Sequence, residues 1–352
     1  MKKNILVVDD SALMRRVICD IINTDDKFQA TDYSRDGLEA YERIKTTKYD
    51  GVVLDVNMPR MDGLQLLEKL QQEGIWITVV MVSTLTANDT ETTLLAMERG
   101  AVDFVTKPTN IIEAKGEEFK KQLLGVLDAV LSTTRRRGAP VSVRPVRQQN
   151  AGGNMGKKKA GKKLVALACS TGGPKALQSV IPYLDKNLDA PLVLVQHMPK
   201  GFTKSMAERL DVLSRIHVKE AEDGDVLHKG TAYIAPGGRH MKVVRIGNEH
   251  KIQLSDEPPV GGLRPCADLM YESLCTSGFD EITCVVLTGM GADGTKGIVS
   301  LKKKIPVYTI VQDEATSVVY GMPRAVAEAG AADEIIPLDQ IAQSIMKNVG
   351  VE

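Results

Sequence analysis

Aromatic side chains are sparse in this chain of 352 residues: they make up 4% of it, with one tryptophan. Cysteine is scarce too. Cys19, Cys169, Cys266, Cys275 and Cys284 are odd in number, irregular in spacing and never arranged as CxxC. That pattern fits buried or free thiols in a reducing cytosol, not a disulfide framework. Neither charge sign is in excess. The 45 Lys and Arg balance 45 Asp and Glu, so the whole chain gives no nucleic-acid or membrane signal. No apolar run approaches membrane-spanning length. The start, Met1 to Asp10, has too short an apolar stretch for a signal peptide and ends in an acidic pair. His217, His228, His240 and His250 show no metal-ligand spacing. A soluble, cytoplasmic protein is expected.

What is present is enough for two or three domains, with 43% apolar residues to build their cores. In the first half, short apolar runs alternate with segments of helical spacing. Ile5–Val8, Phe28–Tyr33, Gly51–Asp55, Thr78–Ser83 and Asp103–Thr106 read as strands. Ser11–Ile22, Gly37–Ile44, Thr90–Arg99 and Ile111–Leu131 read as helices. Such alternation implies a parallel sheet covered on both faces. Asp9, Asp10, Asp55, Ser83 and Lys107 all fall at strand ends, which share one edge of a parallel sheet. Three carboxylates there would repel one another without a cation, and an oxygen-rich set suits Mg²⁺. A lysine and a hydroxyl beside the metal would neutralise phosphoryl oxygens, so Asp55 is a candidate nucleophile forming an aspartyl phosphate. Each acid could singly be a turn residue or helix cap; five at matching strand ends are not explained that way.

Leu6–Asp10, Leu54–Gly63, Met81–Ser83 and Phe104–Pro108 together resemble a two-component response-regulator receiver domain over roughly the first 130 residues. The resemblance implies a flavodoxin-like fold with a five-stranded parallel sheet. It implies that Asp55 accepts phosphoryl from a histidine kinase, with Asp9 and Asp10 holding Mg²⁺ and Asn57 offering its backbone carbonyl. Ser83, Phe104 and Lys107 would be the residues that report the phosphate. It further implies a cis bond before Pro108. Asn57 departs from the acid expected at its position.

Ser132–Lys163 changes character. Five arginines and five lysines occur there with no acid, among Gly, Pro, Gln and Asn. This reads as a flexible, self-repelling linker over 132–162. A polyanion-binding tail is the weaker alternative, because no aromatic is interleaved. Gly156–Lys163 brushes against a P-loop pattern but lacks the final Ser or Thr and precedes a strand instead of following one.

The second half, 163–352, turns on the stretch Lys163–Leu177. Leu164–Ala168 is a short, wholly apolar run, as a central parallel strand should be. It stops at Ser170 and Thr171, followed by Gly172, Gly173 and Pro174. Open α/β sheets place ligands at such edges, and a serine beside helix N-terminal amides can be a nucleophile next to an oxyanion hole. It can equally be an N-cap on an ordinary turn. Further strands end at Gln196–His197 and at Thr288 before Gly289–Gly294, and a hairpin surrounds Gly247–Asn248. Serine, base and acid thus share one edge: Ser170, His197 and Asp293. A relay needs an imidazole to take the serine proton and a carboxylate to fix the imidazole tautomer. Gly289 and Gly291 would let the Met290 amide approach an oxyanion. Cys169 is an alternative nucleophile, but strand alternation points it away from Ser170. Gly289–Gly294 also matches GxGxxG, with Asp313 near where a ribose-binding acid belongs. Against dinucleotide binding, Asp293 would sit by the pyrophosphate, and the motif falls late in its domain.

Cys169–Gly173, Gln196–Pro199 with Gly201–Thr203, Tyr233–Pro236, Leu263–Pro265, Leu287–Gly294 and Met322–Arg324 resemble the catalytic domain of the CheB family of chemotaxis protein-glutamate methylesterases. The match extends over nearly all of Lys163–Val349, and a receiver placed ahead is that family's arrangement. The resemblance implies a second doubly wound, mostly parallel α/β domain. It implies Ser170 as nucleophile, His197 as base, Asp293 as orienting acid, and Thr171 and Met290 as oxyanion contacts. It implies demethylation of glutamate γ-methyl esters on chemoreceptors, deamidation of receptor glutamines, no cofactor for hydrolysis, and a chemotaxis histidine kinase as partner. Nucleic-acid binding and membrane insertion are not expected, and a monomer is. Ala168 stands where a lipase-type elbow has glycine. A catalytically silent receptor-binding adaptor is the rival from another class.

Overall fold

A computed structural model describes residues 1–84, 86–108, 110–132 and 161–351. The first unit runs β1 (Lys3–Val8), α1 (Ala12–Asn23), β2 (Phe28–Ser34), α2 (Gly37–Thr46), β3 (Gly51–Asp55), α3 (Gly63–Gln72), β4 (Thr78–Ser83), α4 (Ala87–Glu98), β5 (Asp103–Thr106), α5 (Ile111–Ala114) and α6 (Glu117–Ser132). Its five strands lie in the order β2-β1-β3-β4-β5, all parallel. Alternation along each strand builds a core on either face. Ile5, Val7 and Val53 pack on one side, and Leu6, Val8 and Leu54 on the other. Both faces of a parallel sheet are covered by helices, which is why these strands read as unbroken apolar runs.

The second unit runs β6 (Lys163–Cys169), α7 (Gly173–Gln178), β7 (Leu192–Gln196), α8 (Phe202–Leu213), β8 (His217–Glu220), β9 (Thr231–Ile234), β10 (His240–Ile246), β11 (Glu249–Ser255), α9 (Ala267–Ser273), β12 (Glu281–Val286), α10 (Thr295–Lys302), β13 (Val307–Gln312), α11 (Met322–Glu328), β14 (Glu334–Ile336) and α12 (Leu338–Val349). Seven strands form one sheet in the order β14-β13-β12-β6-β7-β9-β8, every pairing parallel. The antiparallel pair β10–β11 stands apart as a hairpin whose Gly247 has φ +62°. Strand β6 is central. The chain winds from it to β7 on one side and later returns to β12 on the other. That reversal makes a topological switch point, where open α/β sheets bind ligands.

Several elements differ from the sequence expectation. Helix α3 was not foreseen, although Asp62 and Gln65 form a capping box at its start. Helix α7 ends at Gln178, and a 3-10 turn over Ile181–Tyr183 follows. Pro182 has no N–H to continue the α-helical ladder. The long helix over 111–131 is broken around Gly116 into α5 and α6, glycine being a poor helix former. Strands β8 and β14 and helix α10 were missed: the strands are short edge strands carrying charged residues. The cis peptide expected before Pro108 is absent. Among the described residues the cis bond is Arg264–Pro265, and Lys107 reaches its partners at the sheet edge from a trans linkage. The linker reading of 132–162 falls almost wholly outside the described residues.

Candidate active site

Register brings the reacting groups of the second unit together. Strands β6 and β7 pair up to Cys169↔Gln196, so Ser170 and His197 are the next residues of two neighbouring strands. Strand β12 flanks β6 on its other side, and the loop after it carries Asp293. Ser170 does not cap the following helix. The N-cap of α7 is Gly172, at φ +75°, with no side-chain cap. Cys169 points into the core between the sheet and α7, while Ala168 packs in the opposite core. The Cys169 thiol is fully buried, and that burial pushes its pKa far up, so it is held as a neutral thiol.

His197 Nε2 lies 2.8 Å from Asp293 Oδ2, with side-chain exposures of 9% and 6%. The carboxylate is the acceptor, so Nε2 carries the proton and Nδ1 keeps its lone pair. Nδ1 is therefore the atom that can take a proton. Five donors converge on Asp293. Beside His197 they are the N–H groups of Ala267 (2.6 Å), Asp268 (2.9 Å) and Gly294 (3.0 Å) and the Cys266 thiol (3.2 Å). Burial works to raise the Asp293 pKa, but the hydrogen bonds from His197, Ala267 and Asp268 outweigh it, and it ends lowered to about 2. Two of the three backbone amides on Asp293 come from the start of α9 and one, that of Gly294, from the glycine-rich loop itself. Asp313 is engaged by the N–H and hydroxyl of Thr316.

Gly289 lies against the serine. A Cβ there would sit 2.8 Å from Ser170 Cβ and 2.4 Å from Met322 Sδ, so only glycine fits. Its neighbours are pinned by bonds from Gly289 N to Val319 O (3.0 Å) and from Met322 N to Gly289 O (2.8 Å). The Met290 amide follows directly on this glycine. The Met290 N–H meets no acceptor among the described residues, and its side chain is half exposed. Thr171 is nearly buried, and its carbonyl accepts from Thr288 Oγ1 at 2.9 Å. Among the described residues no hydrogen bond joins Ser170 Oγ to His197.

At the edge of the first sheet, oxygens of Asp9, Asp10 and Asp55 lie within 4.8 Å of one another. Lys107 Nζ is 2.6 Å from Asp55 Oδ2 and 2.7 Å from Asp9 Oδ2. Burial and the neighbouring Asp9 push the Asp55 pKa up to about 6, against the pull of Lys107. This all-oxygen donor set fits a hard divalent cation. The Asn57 carbonyl accepts no backbone hydrogen bond among the described residues, while the side-chain amide is held by Asp89. Ser83 is buried and turned toward α4, taking a bond from Thr93 Oγ1 at 2.6 Å.

Phe104 faces the second unit. Its ring stacks on Phe202 of α8, with centroids 4.3 Å apart and planes at 26°. Beside it, the Asp103 carboxyl meets the Thr171 side chain, and burial pushes its pKa up to about 6. Glu98 at the end of α4 takes Arg209 at 2.9 and 3.1 Å and Gln178 at 3.0 Å. Sequence reading missed Asp103, Glu98 and the amides of Ala267 and Asp268. Each acts between segments far apart in the chain, and no local pattern marks such a contact.

A receiver-type sheet followed by a wound sheet with Ser, His and Asp at its switch point defines a receiver-linked α/β hydrolase. Two family models match: "CheB methylesterase" over 165–345 and "Response regulator receiver domain" over 5–115. The chain belongs to the CheB methylesterase family. It is 42% identical over 348 residues to a protein-glutamate methylesterase/protein-glutamine glutaminase of Pyrococcus abyssi, covering 99% of this chain and 94% of that one. A protein of the same name from Geobacillus kaustophilus is 44% identical, with 98% of each chain covered. The crystal structure of the Thermotoga maritima CheB methylesterase catalytic domain matches with a TM-score of 0.51 and 41% identity, covering 53% of this chain and 98% of that one.

Proposed function

We propose that the chain is a protein-glutamate methylesterase and protein-glutamine glutaminase of chemoreceptors, regulated by phosphorylation of its receiver. The observation that carries the reading is the His197–Asp293 pair, bonded at 2.8 Å beside the strand end that bears Ser170. Ser170 Oγ attacks the γ-carbonyl of a glutamate methyl ester while His197 Nδ1 takes the hydroxyl proton. Asp293 holds the imidazole tautomer and offsets the imidazolium charge. The Met290 N–H and Thr171 stabilise the oxyanion. The tetrahedral intermediate collapses, and methanol leaves with the proton held by His197. Water, deprotonated by the same nitrogen, then cleaves the acyl-enzyme and restores glutamate and Ser170. With a glutamine substrate the leaving group is ammonia.

The receiver unit, 1–131, is joined by the segment 132–162 to the catalytic unit, 163–352. In the receiver, Asp9, Asp10, Asp55 and the Asn57 carbonyl would hold Mg²⁺, which when bound offsets charge on the phosphoryl oxygens. Asp55 accepts phosphoryl from a histidine kinase, and Lys107 and Ser83 pair with the phosphate. Without phosphate the receiver covers the catalytic edge. Three contacts support this: Asp103 on Thr171, Phe104 on Phe202, and Glu98 on Arg209. Phosphorylation would draw Ser83 from Thr93 and loosen α4, which carries Glu98. The partners are methylated chemoreceptors and a chemotaxis histidine kinase, and the protein works as a cytoplasmic monomer. No helix among the described residues is long and apolar enough to cross a membrane.

The assignment of Ser170 is tested by labelling with a fluorophosphonate, which esterifies activated serine hydroxyls. Mass spectrometry should find the adduct on Ser170, and Ser170→Ala should remain unlabelled and inactive. An active, unlabelled wild type, or an adduct on Cys169, would overturn it. A receptor-binding adaptor without catalysis would show neither label nor turnover.

A further inference from the structure

Past the last pair of the β6–β7 ladder, something other than strand pairing must fix the nucleophile and base segments relative to each other. The final ladder bond runs from His197 N to Cys169 O, at 3.2 Å. Gln196 ends β7, is 2% exposed, and turns its carboxamide into the gap. Its Nε2 donates to the carbonyls of Ser170 (3.1 Å) and His197 (3.0 Å), and its Oε1 accepts from the Cys169 thiol (3.0 Å). One amide thus ties the backbone of the nucleophile to that of the base, with both of its N–H groups in use.

The turn after the serine carries an independent mark of this arrangement. Gly172 is explained by its left-handed φ of +75°, but Gly173 has no positive φ and opens a helix, where glycine is a poor choice. A Cβ on Gly173 would lie 1.9 Å from Gln196 Oε1. The second glycine is therefore there to make room for the carboxamide.

We propose that Gln196 is a positioning residue for catalysis: it sets the separation of Ser170 and His197. This rests on the reading of Ser170, His197 and Asp293 as the catalytic set. Its action is through the two backbones, so it affects the chemical step more than substrate binding. A displacement of about 1 Å between reacting groups costs about 10²-fold in rate.

The test uses the full chain with Mg²⁺ and a small phosphodonor, hydrolysing p-nitrophenyl acetate. Gln196→Met keeps the shape and loses both donors. Its kcat should fall about 10²-fold with KM little changed. Gln196→Glu has a donor only when the introduced carboxyl is protonated. Its rate relative to wild type should therefore rise as pH falls from 8 to 5. A purely structural role would leave that ratio flat and make activity track the folded fraction in a thermal melt. Wild-type kcat in folded Gln196→Met, or a pH-independent ratio, would overturn the proposal. Should the Met variant fail to fold, Gly173→Ala, which presses on Oε1, should lower kcat in the same way, and a wild-type kcat there would count equally against it. Turnover by Ser170→Ala would instead sink the catalytic reading itself, whereas an inactive Ser170→Ala beside a fully active Gln196→Met would sink the positioning role alone.

Discussion

The sharpest consequence of the site concerns Asp293→Asn. The carboxylate accepts on both oxygens: His197 Nε2 and Ala267 N on Oδ2, and Asp268 N, Gly294 N and the Cys266 thiol on Oδ1. An asparagine must place its NH₂ on one side. On the Oδ1 side it would face two backbone N–H groups, and on the Oδ2 side one. The lesser conflict points the NH₂ toward His197 and asks Nε2 to accept. The imidazole proton then moves to Nδ1, the atom that must receive the Ser170 proton, and the base is lost. An inverted tautomer of this kind costs about 10⁴-fold in kcat in the serine-protease case, or about 5 kcal/mol of barrier. Stability falls too. The carboxylate is held near pKa 2 against an ordinary 3.8, which corresponds to about 2 kcal/mol. A carboxyl whose folded pKa is depressed contributes that stability above its ordinary pKa and loses it as pH falls toward the folded value. The stability gap between wild type and Asp293→Asn should accordingly narrow between pH 5 and pH 2. The assays are p-nitrophenyl acetate turnover with phosphodonor present and urea unfolding across that pH range. A loss of less than tenfold in kcat with the protein folded would refute the orientation argument.

Other expectations follow from the same geometry. Phe104→Ala removes the stack on Phe202, about 0.5–1.5 kcal/mol, and should raise unphosphorylated esterase activity about 2- to 12-fold; unchanged basal turnover would contradict occlusion by the receiver. Gly289→Ala forces a Cβ to 2.8 Å from Ser170 Cβ and should cost about 1–3 kcal/mol of stability and most of the activity, both measurable on one preparation. Cys169→Ala should keep activity within a few fold while lowering the melting temperature, since the thiol is a buried neutral group. Loss of fluorophosphonate labelling in that variant would revive the cysteine as nucleophile.

Much of the fold was legible because parallel sheets write themselves as apolar runs. Leu164–Ala168, Leu192–Val195 and Cys284–Val286 are all fully buried and were read as strands. Residues placed at strand ends by that reading fall at the two sheet edges described above, because parallel strands bring their C-terminal ends to one side. Short edge strands such as His217–Glu220 carry too few apolar residues to stand out. The contacts between the units were not legible. Asp103 and Thr171 are separated by the whole stretch outside the described residues, and an acid opening a strand has no sequence mark of its distant partner. Gln196 was visible only as a polar residue closing an apolar strand, a pattern that also fits a simple strand end. The proton-accepting nitrogen of His197 follows from the side on which Asp293 lies, which only coordinates supply.

The central claim joins a receiver switch to an esterase, and methanol release from membranes carrying methyl-labelled chemoreceptors reads both. Release by the wild type should rise with a small phosphodonor and Mg²⁺, Asp55→Asn should show no such rise, and Ser170→Ala should release none. Release that ignores the phosphodonor would contradict the switch, and release by Ser170→Ala would contradict the catalytic site.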